Sequence, residues 1–284
     1  MIVNNKNDIV RLRQSQLTDV KESLIETLQN IMVNPTELCN RKCGFCPRND
    51  SKVYPNQNLH ISEETVSRLS EQLSIIGFKN RLGWSGNGEP LLTKDFLKLV
   101  KLVSFKNPNI SSHEINTNGD LLTERLVDEI YQSGINHIIV SVYDGQESLD
   151  KFSEMFSKYD VHSYTLRMSF NTVDPVGFTN RGGMVDVNRD KIKEFKDNKC
   201  FLPFYKLIID WNGDVLVCCE DWGRKSKSEL NINTHSLREI WFSEKLKRYR
   251  DRLSVGDRSM SPCNVCNVHG EKVGSGFVDK FYEK

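Results

Sequence analysis

The chain has 284 residues, enough for one barrel-sized domain and a smaller appended unit. Lys and Arg number 39 against 38 Asp and Glu, so the formal net charge of +1 gives no electrostatic reason to expect nucleic acid. The first residues lack the apolar stretch of a signal peptide, and no later run approaches the roughly 18 apolar residues of a membrane span. We therefore expect a cytoplasmic protein that acts on a small molecule, with no membrane or nucleic-acid partner.

The first predicted elements lead directly into a group of cysteines. Residues 1–30 are polar and are expected to form a helical extension that covers one end of a sheet. The first strand is predicted at Ile31–Pro35. Its carboxyl end continues into a loop that contains Cys39, Cys43 and Cys46, which is the position where barrel enzymes place their chemistry.

Strand and helix signals alternate from this loop to about residue 190. Helix starts are predicted at Ser62 and Thr123, each followed by apolar residues at helical spacing. Four further strands are predicted at 81–85, 114–117, 138–142 and 164–171. The alternation indicates parallel βα units, and because only five or six repeats fit, it predicts an α/β fold with a partial (β/α)6 TIM-like barrel.

The pattern changes after residue 190. An Asn-Gly pair between two apolar runs predicts a β-hairpin over residues 206–217. An amphipathic helix is predicted from Leu237 to Leu253, and the basic run 245–252 within it is expected to face solvent. The sequence therefore predicts three regions, 1–30, 31–190 and 191–284.

Eight cysteines fall along the chain in groups of three, one, two and two, which favours metal ligation over a disulfide framework. The first group has the spacing C-x3-C-x-Φ-C, with Phe45 before the last thiol. This pattern resembles the signature of the radical S-adenosylmethionine (SAM) superfamily. The resemblance implies that Cys39, Cys43 and Cys46 hold a 4Fe–4S cluster whose open iron binds SAM, with Phe45 beside the cofactor. A partial zinc site completed by a distant cysteine is the alternative.

The segment Gly86-Asn87-Gly88-Glu89-Pro90 follows the second predicted strand. On its own, a segment with Gly and Pro after a strand indicates only a turn. Within the radical SAM superfamily it resembles the Gly-Gly-Glu-Pro motif, which implies that its glycines and Glu89 hold the SAM amino group. Ser141 and Asn171, at the ends of the fourth and fifth predicted strands, match positions that contact the SAM ribose or carboxylate in relatives. Local hydrogen bonds at a loop edge are the alternative for both.

The distal cysteines form a second set with the spacing C-x17-C-x44-C-x2-C. This order resembles the C-terminal SPASM extension of radical SAM enzymes, or its shorter Twitch form. The resemblance implies a second, fully ligated 4Fe–4S cluster. A four-cysteine zinc site fits the final C-x2-C equally well. The residues of this set are Cys200, Cys218, Cys263 and Cys266.

Three further residues are candidates for contact with a substrate. Cys219 lies beside a predicted ligand, and relatives that epimerise their substrate use such a thiol as a hydrogen-atom donor; a small buried side chain is the alternative. Arg181 lies in a glycine-rich loop and could clamp a hydroxyl or carboxylate. Glu220 directly follows Cys218 and Cys219. A salt bridge between the two regions is the alternative for Arg181 and Glu220.

The two cysteine sets together resemble Twitch-type radical SAM dehydrogenases that act on an aminocyclitol. The resemblance implies that SAM is cleaved to a 5′-deoxyadenosyl radical, which takes a hydrogen atom from a small polyol, aminocyclitol or sugar. The auxiliary cluster then accepts an electron as the alcohol becomes a ketone, and Arg181 or Glu220 orients or deprotonates the hydroxyl. A flavodoxin- or ferredoxin-type protein is the implied electron donor. A peptide maturase, a sugar epimerase that uses Cys219 and a non-catalytic zinc-ribbon protein stay open as alternatives.

Overall fold

The computed structural model describes residues 2–3, 24–169, 179–186, 190–227, 229–271 and 273–282. These residues form one eight-stranded sheet with the order β1-β6-β5-β4-β3-β2-β7-β8. The strands are β1 (Ile2–Val3), β2 (Asn30–Val33), β3 (Arg81–Trp84), β4 (Ser112–Thr117), β5 (His137–Val142), β6 (Tyr164–Met168), β7 (Lys206–Ile209) and β8 (Val215–Leu216). Every neighbouring pair is parallel except the β7–β8 hairpin.

Helices alternate with the strands, as βα units require. They are α1 (Leu24–Thr27), α2 (Glu63–Ile75), α3 (Phe96–Lys106), α4 (Glu124–Gln132), α5 (Gln146–Phe156), α6 (Asp190–Glu194), α7 (Leu237–Trp241), α8 (Glu244–Ser254) and α9 (Val278–Tyr282). The predicted α/β class with a partial barrel is confirmed. None of the helices in the described ranges is long and apolar enough to cross a membrane.

The strands separate an apolar face from a polar one, because successive side chains point to opposite sides. The apolar face is completely buried; its members include Val33, Leu82, Ile115, Val140 and Leu166. Each such side chain stabilises the fold by roughly 1.5–3 kcal/mol through its removal from water. The alternate positions line the inside of the partial barrel and include Met32, Asn116, Ser141, Arg167 and Lys206. The fold therefore collects polar side chains inside the barrel.

Both predicted helix starts are confirmed by their hydrogen bonds. The Ser62 hydroxyl accepts a bond from the Thr65 amide at 3.1 Å, and the Thr123 hydroxyl accepts one from the Leu126 amide at 3.2 Å. Each bond satisfies an amide that would otherwise lack a partner at a helix amino terminus, which is worth about 1 kcal/mol.

The prediction of a single helix from Leu237 to Leu253 is wrong, because the helix is interrupted between α7 and α8. Ser243 starts α8, and its hydroxyl accepts a bond from the Leu246 amide at 3.3 Å. The basic run is also not wholly solvated, since Arg250 is fully buried. Its guanidinium lies 4.1 Å from the Trp241 ring centroid and donates to the Pro203 carbonyl at 2.9 Å. An arginine can stack on an aromatic ring in this way while its donors bind carbonyls.

Two strands extend the sheet beyond what the sequence predicted. β7 lies parallel to β2, with Lys206 opposite Asn30, so the sheet continues past the predicted boundary at residue 190. β1 lies within the predicted extension 1–30 and pairs with β6. A strand of two residues is too short to show alternation in the sequence. The division into 1–30, 31–190 and 191–284 remains a prediction.

A buried histidine makes the stability of this barrel depend on pH. The Trp84 indole donates to His113 Nε2 at 2.8 Å, and burial lowers the pKa of His113 to about 4. The unfolded chain, with a pKa near 6.5, therefore binds more protons below that pH, and stability is lost as pH falls. Between about pH 7.5 and about pH 5.5, we expect the free energy of unfolding, measured with urea, to fall by about 1.4 kcal/mol more in the parent protein than in His113→Asn. Equal losses in the two proteins would contradict this assignment.

Candidate active site and the two cysteine sets

A cavity of about 240 Å³ opens at the carboxyl ends of the strands, and we call it the main cavity. Most of the residues predicted from the sequence to form the site lie in its wall. They are Cys39, Cys43, Phe45, Cys46, Gly86, Gly88, Glu89, Ser141, Arg181, Cys219 and Glu220. Asn171 lies outside the described residues. The structure thus brings the predicted SAM motifs and the predicted substrate residues to one cavity.

The loop with the first three cysteines is held in place by its own hydrogen bonds. The Cys46 amide donates to the Cys43 carbonyl at 2.9 Å, and the Cys39 amide donates to the Asn56 side chain at 2.8 Å. Arg41, between the first two cysteines, donates to Asp120 at 2.7 Å and to Asp144 at 2.9 Å. These bonds lower the pKa of Asp144. The loop is therefore anchored to the ends of two strands, so that the thiols keep their positions.

The glycine motif packs against the start of the same loop. A side chain at Gly88 would collide with the carbonyl oxygens of Thr36 and Leu38, and one at Gly86 would collide with Asn34. Both glycines are therefore required for close backbone approach. Asn87, which replaces a family glycine, donates from its side chain to the Tyr54 hydroxyl at 2.8 Å. The substitution thus adds a bond to the wall of the site.

Glu89 is a carboxylate held almost entirely out of water, with 2% of its surface exposed. It accepts bonds from the Thr117 hydroxyl at 2.7 Å and from the Asn118 amide at 2.8 Å. Burial nevertheless raises its pKa, which shows that these bonds do not fully replace hydration. A cationic ligand in the main cavity would supply the missing stabilisation, so the observation fits the predicted contact with the SAM ammonium.

We expect Glu89→Gln to weaken SAM binding by about 10- to 100-fold, because a charge-assisted bond becomes a neutral one. Equilibrium binding of SAM to anaerobically reconstituted protein measures the effect. The matched control is Glu63→Gln, which makes the same change at an exposed carboxylate paired with Lys98. Unchanged SAM affinity in Glu89→Gln would exclude the assignment.

The distal cysteines surround a second, much smaller cavity of about 20 Å³, which we call the small cavity. Its wall includes all four predicted ligands, Cys200, Cys218, Cys263 and Cys266. Across the described residues, no three or more His, Cys, Asp or Glu side chains converge closely enough to hold a single metal ion. The four thiols line one space and could therefore ligate either an iron–sulfur cluster or a single zinc ion.

Burial also affects the protonation of the cysteines. Burial raises the pKa of Cys43 to about 11 and that of Cys263 to about 12. Without a positive partner both thiols would stay protonated near neutral pH. Thiolates at these positions require a metal centre to stabilise their charge, as cluster binding would supply.

Two adjacent cysteines point to different cavities. Cys218 lines the small cavity, whereas Cys219 lines the main cavity. Glu220 borders both, and its carboxylate lies 3.6 Å from Arg181 and accepts a bond from Thr179. The segment 218–220 therefore forms part of the wall of each site. Arg181 and Glu220 make the ion pair considered from the sequence, and they make it in the wall of the main cavity.

Several charged residues of the cavity wall were missed by the sequence analysis. Arg167 and Lys206 lie on the inner face of β6 and β7, and Arg41 lies inside the cysteine loop. A charged residue on a predicted barrel strand was the available signal for Arg167, whereas Lys206 lies on a strand that was predicted outside the barrel. Arg41 gave no such signal, because its partners Asp120 and Asp144 are about 80 and about 100 residues away.

Comparison with known proteins identifies the family. The sequence profile of the Radical SAM superfamily matches residues 33–197, and that of the SPASM iron-sulfur cluster-binding domain matches residues 200–267. The chain belongs to the radical SAM superfamily. Radical SAM domains bind SAM and a 4Fe–4S cluster, and SPASM domains bind auxiliary iron–sulfur clusters, so the predicted cofactors are confirmed. The zinc-ribbon alternative is excluded.

Individual relatives place this radical SAM protein more closely. It is 29% identical over 238 residues to the S-adenosyl-L-methionine-dependent 2-deoxy-scyllo-inosamine dehydrogenase of Niallia circulans, covering 84% of this chain and 92% of that protein. The crystal structure of BtrN in complex with AdoMet and 2-DOIA matches with a TM-score of 0.73 and 26% identity, over 91% of this chain and 99% of that one. A GTP 3′,8-cyclase of Staphylococcus aureus is 22% identical over 269 residues, covering 87% of this chain and 76% of that protein.

Proposed function

We propose that this radical SAM enzyme dehydrogenates a secondary alcohol of a small polyol, aminocyclitol or sugar to a ketone. The observation that carries the proposal is the shared wall of the two cavities. Cys218 faces the small cavity while its neighbour Cys219 faces the main cavity, so the two cavities share a wall at this point of the chain. An electron that leaves a substrate in the main cavity thus has a short path to a cluster in the small one.

The relatives support the same reaction class. The Niallia circulans enzyme is named as a dehydrogenase of 2-deoxy-scyllo-inosamine, an aminocyclitol, and the match covers 84% of this chain and 92% of that protein. The BtrN structure, solved with AdoMet and 2-DOIA, shares the fold over nearly its full length. A fold alone does not define an activity. The roles of the residues that line the main cavity must therefore support the proposed reaction as well.

The cofactors, when bound, supply a carbon radical strong enough to take a hydrogen atom from an alcohol carbon, after one electron has come from a flavodoxin- or ferredoxin-type donor. Oxidation to the ketone removes one hydrogen atom from that carbon, one proton from the hydroxyl and one further electron. The atoms and charges balance if the proton goes to a base in the main cavity and the electron goes to the distal cysteine site.

The chain's own residues bind and orient the reactants. Glu89 is the candidate to hold the SAM ammonium and Ser141 is the candidate to contact the SAM carboxylate or ribose, since both line the main cavity. Arg181 and Glu220 are the candidates to orient and deprotonate the hydroxyl, because they form an ion pair in the cavity wall. Replacement of either by alanine should lower ketone formation, and turnover equal to that of the parent would exclude that residue.

Anaerobic incubation with SAM, reductant and candidate polyols tests the reaction. We expect 5′-deoxyadenosine together with a product two mass units lighter than the substrate. Products of unchanged mass would exclude dehydrogenation. We also propose a cytoplasmic location, since none of the eight cysteines forms a disulfide and low-potential electron donors occur in a reducing compartment.

Epimerisation of a sugar is a second candidate, favoured by the position of Cys219 in the main cavity. Its sulfur lies 4.0 Å from the Lys206 ammonium. A thiol there could return a hydrogen atom to the substrate carbon, which would give a product of unchanged mass. This reading predicts that solvent deuterium enters the product carbon and that Cys219→Ser lowers product formation by about 100-fold or more. Full activity of Cys219→Ser with no deuterium incorporation would exclude it.

A further inference from the structure

A buried arginine lines the small cavity together with the distal cysteines. Arg258 is 5% exposed, and it shares the wall of this cavity with all four predicted ligands. A β-carbon added at Gly270 would lie 2.8 Å from Arg258 Nη2 and 2.8 Å from the Cys200 β-carbon, so these two atoms are within twice that distance of each other. The guanidinium is therefore a close neighbour of the distal cysteine set.

Backbone carbonyls hold the Arg258 side chain in this position. Its guanidinium donates four bonds of 2.6–3.3 Å, two to the segment that precedes Cys200 and two to the segment that follows Cys266. The acceptors are the carbonyl oxygens of Asn198, Lys199, Val268 and His269. The positive charge is therefore fixed against two segments that carry predicted ligands.

These bonds satisfy the donors of Arg258 without neutralising its charge. Carbonyl oxygens are uncharged acceptors, and an arginine side chain is not deprotonated in proteins. Among the described residues no carboxylate forms an ion pair with Arg258, whereas the buried Arg48 pairs with Glu37 at 3.1 Å. Glu220 also lines the small cavity, but its carboxylate lies 3.6 Å from Arg181. The charge of Arg258 is therefore available to a group held in the small cavity.

An iron–sulfur cluster on the distal cysteines would supply the negative charge that Arg258 lacks. A 4Fe–4S core with four thiolate ligands is negatively charged overall, and reduction adds one further negative charge. The remainder of the cavity wall is apolar and includes Val217 and Leu253, so the charge of Arg258 is weakly screened there. A positive charge in the wall therefore stabilises the reduced form of the site more than the oxidised form.

We propose that the charge of Arg258 raises the reduction potential of the distal cluster. The proposal rests on the electron-accepting role given to this site above and assigns a residue to it; the electron comes from the substrate carbon in the oxidation already balanced. Arg258 lines the small cavity and not the main one, so it acts without touching the substrate. Removal of the charge should lower the equilibrium constant for reduction by about tenfold or more, which is about 59 mV for a one-electron couple.

A redox titration followed by electron paramagnetic resonance tests the proposal in the absence of substrate and SAM. The distal signal is the one that Cys266→Ala lacks, and its midpoint potential is measured in the reconstituted parent, in Arg258→Gln and in Arg258→Lys. We expect a midpoint about 59 mV lower in Arg258→Gln and a parental midpoint in Arg258→Lys, which keeps the charge but not the planar set of donors. The matched control is Arg125→Gln, at an exposed arginine paired with Glu129, which should keep the parental midpoint.

The two Arg258 variants separate a role of the charge from a role of the hydrogen bonds. A parental midpoint in Arg258→Gln overturns the proposal, and so does an equal fall in both variants. If Arg258→Gln fails to bind the distal irons, Arg258→Lys decides. About eight irons per chain and a parental midpoint in Arg258→Lys support a requirement for the charge, and any other result in that variant overturns it. Because no substrate is present, products of unchanged mass would refute the dehydrogenase assignment and leave the role of Arg258 in place.

Discussion

Replacement of Cys266 by alanine is expected to leave SAM cleavage in place while it abolishes formation of the ketone. Cys266 faces the small cavity and not the main one, so the SAM site keeps all its described contacts. Without the distal cluster, the electron that must leave the substrate has no acceptor. Simultaneous quantification of 5′-deoxyadenosine and of product two mass units lighter measures the uncoupling, with product expected to fall by about 100-fold or more.

Iron content provides the control for this prediction. It should fall from about eight atoms per chain to about four in Cys266→Ala, because one of two 4Fe–4S clusters is lost. Cys219→Ala serves as the matched variant, since Cys219 lies next to a ligand but not in the small cavity, and it should keep about eight. Ketone formation at the parental rate by a Cys266→Ala protein with half the iron would refute an electron-accepting role.

Replacement of Cys43 by alanine is expected to remove SAM cleavage, the step that Cys266→Ala leaves in place. Cys43 faces the main cavity, and its neighbours Cys39 and Cys46 cannot complete a cluster that needs three thiolates. We expect SAM cleavage to fall below detection, by about 1,000-fold or more, with no product of any mass. The measurement is 5′-deoxyadenosine formation under reducing anaerobic conditions.

The distal site should survive this change. Cys43→Ala is expected to retain about four iron atoms per chain in the distal set and to unfold in urea like the parent. The two cysteine variants are therefore complementary, because one removes cleavage and the other removes only the oxidised product. SAM cleavage at a measurable rate in Cys43→Ala would show that the first cysteine set is not the SAM site.

Much of this architecture could be predicted because it is local in sequence. The cysteine loop, Gly86-Asn87-Gly88-Glu89-Pro90 and the helix starts at Ser62 and Thr123 each depend on spacing within about ten residues. The alternation of βα units likewise predicted a partial barrel, and parallel strands then bring the loop and motif residues to one edge. The carboxyl ends of the strands therefore collected the site as expected.

The remainder depends on contacts between distant residues. Arg250 is buried because Trp241 and Phe281 provide ring faces for its guanidinium, and nothing near it in sequence shows this. Lys206 became part of the cavity only because β7 pairs with β2, which is about 170 residues earlier. Pairing of distant strands is not encoded in local periodicity, so charged residues on an added strand could not be assigned to the site.

The charge of the main cavity also limits transfer of function from relatives. At 29% identity the Niallia circulans dehydrogenase can share the reaction while its substrate differs. The cations Arg167 and Lys206 lie in the wall of the main cavity, on β6 and β7. Side chains at such positions set which substrate binds, whereas the cysteines set what reaction follows.

We infer that the distal cysteine site accepts the second electron of an alcohol oxidation. The most direct measurement is electron paramagnetic resonance of holoenzyme that is frozen during a single turnover with SAM and the alcohol substrate. We predict that a signal absent from Cys266→Ala grows in step with the ketone, at about one electron per ketone formed. Ketone formation without that signal would contradict the claim.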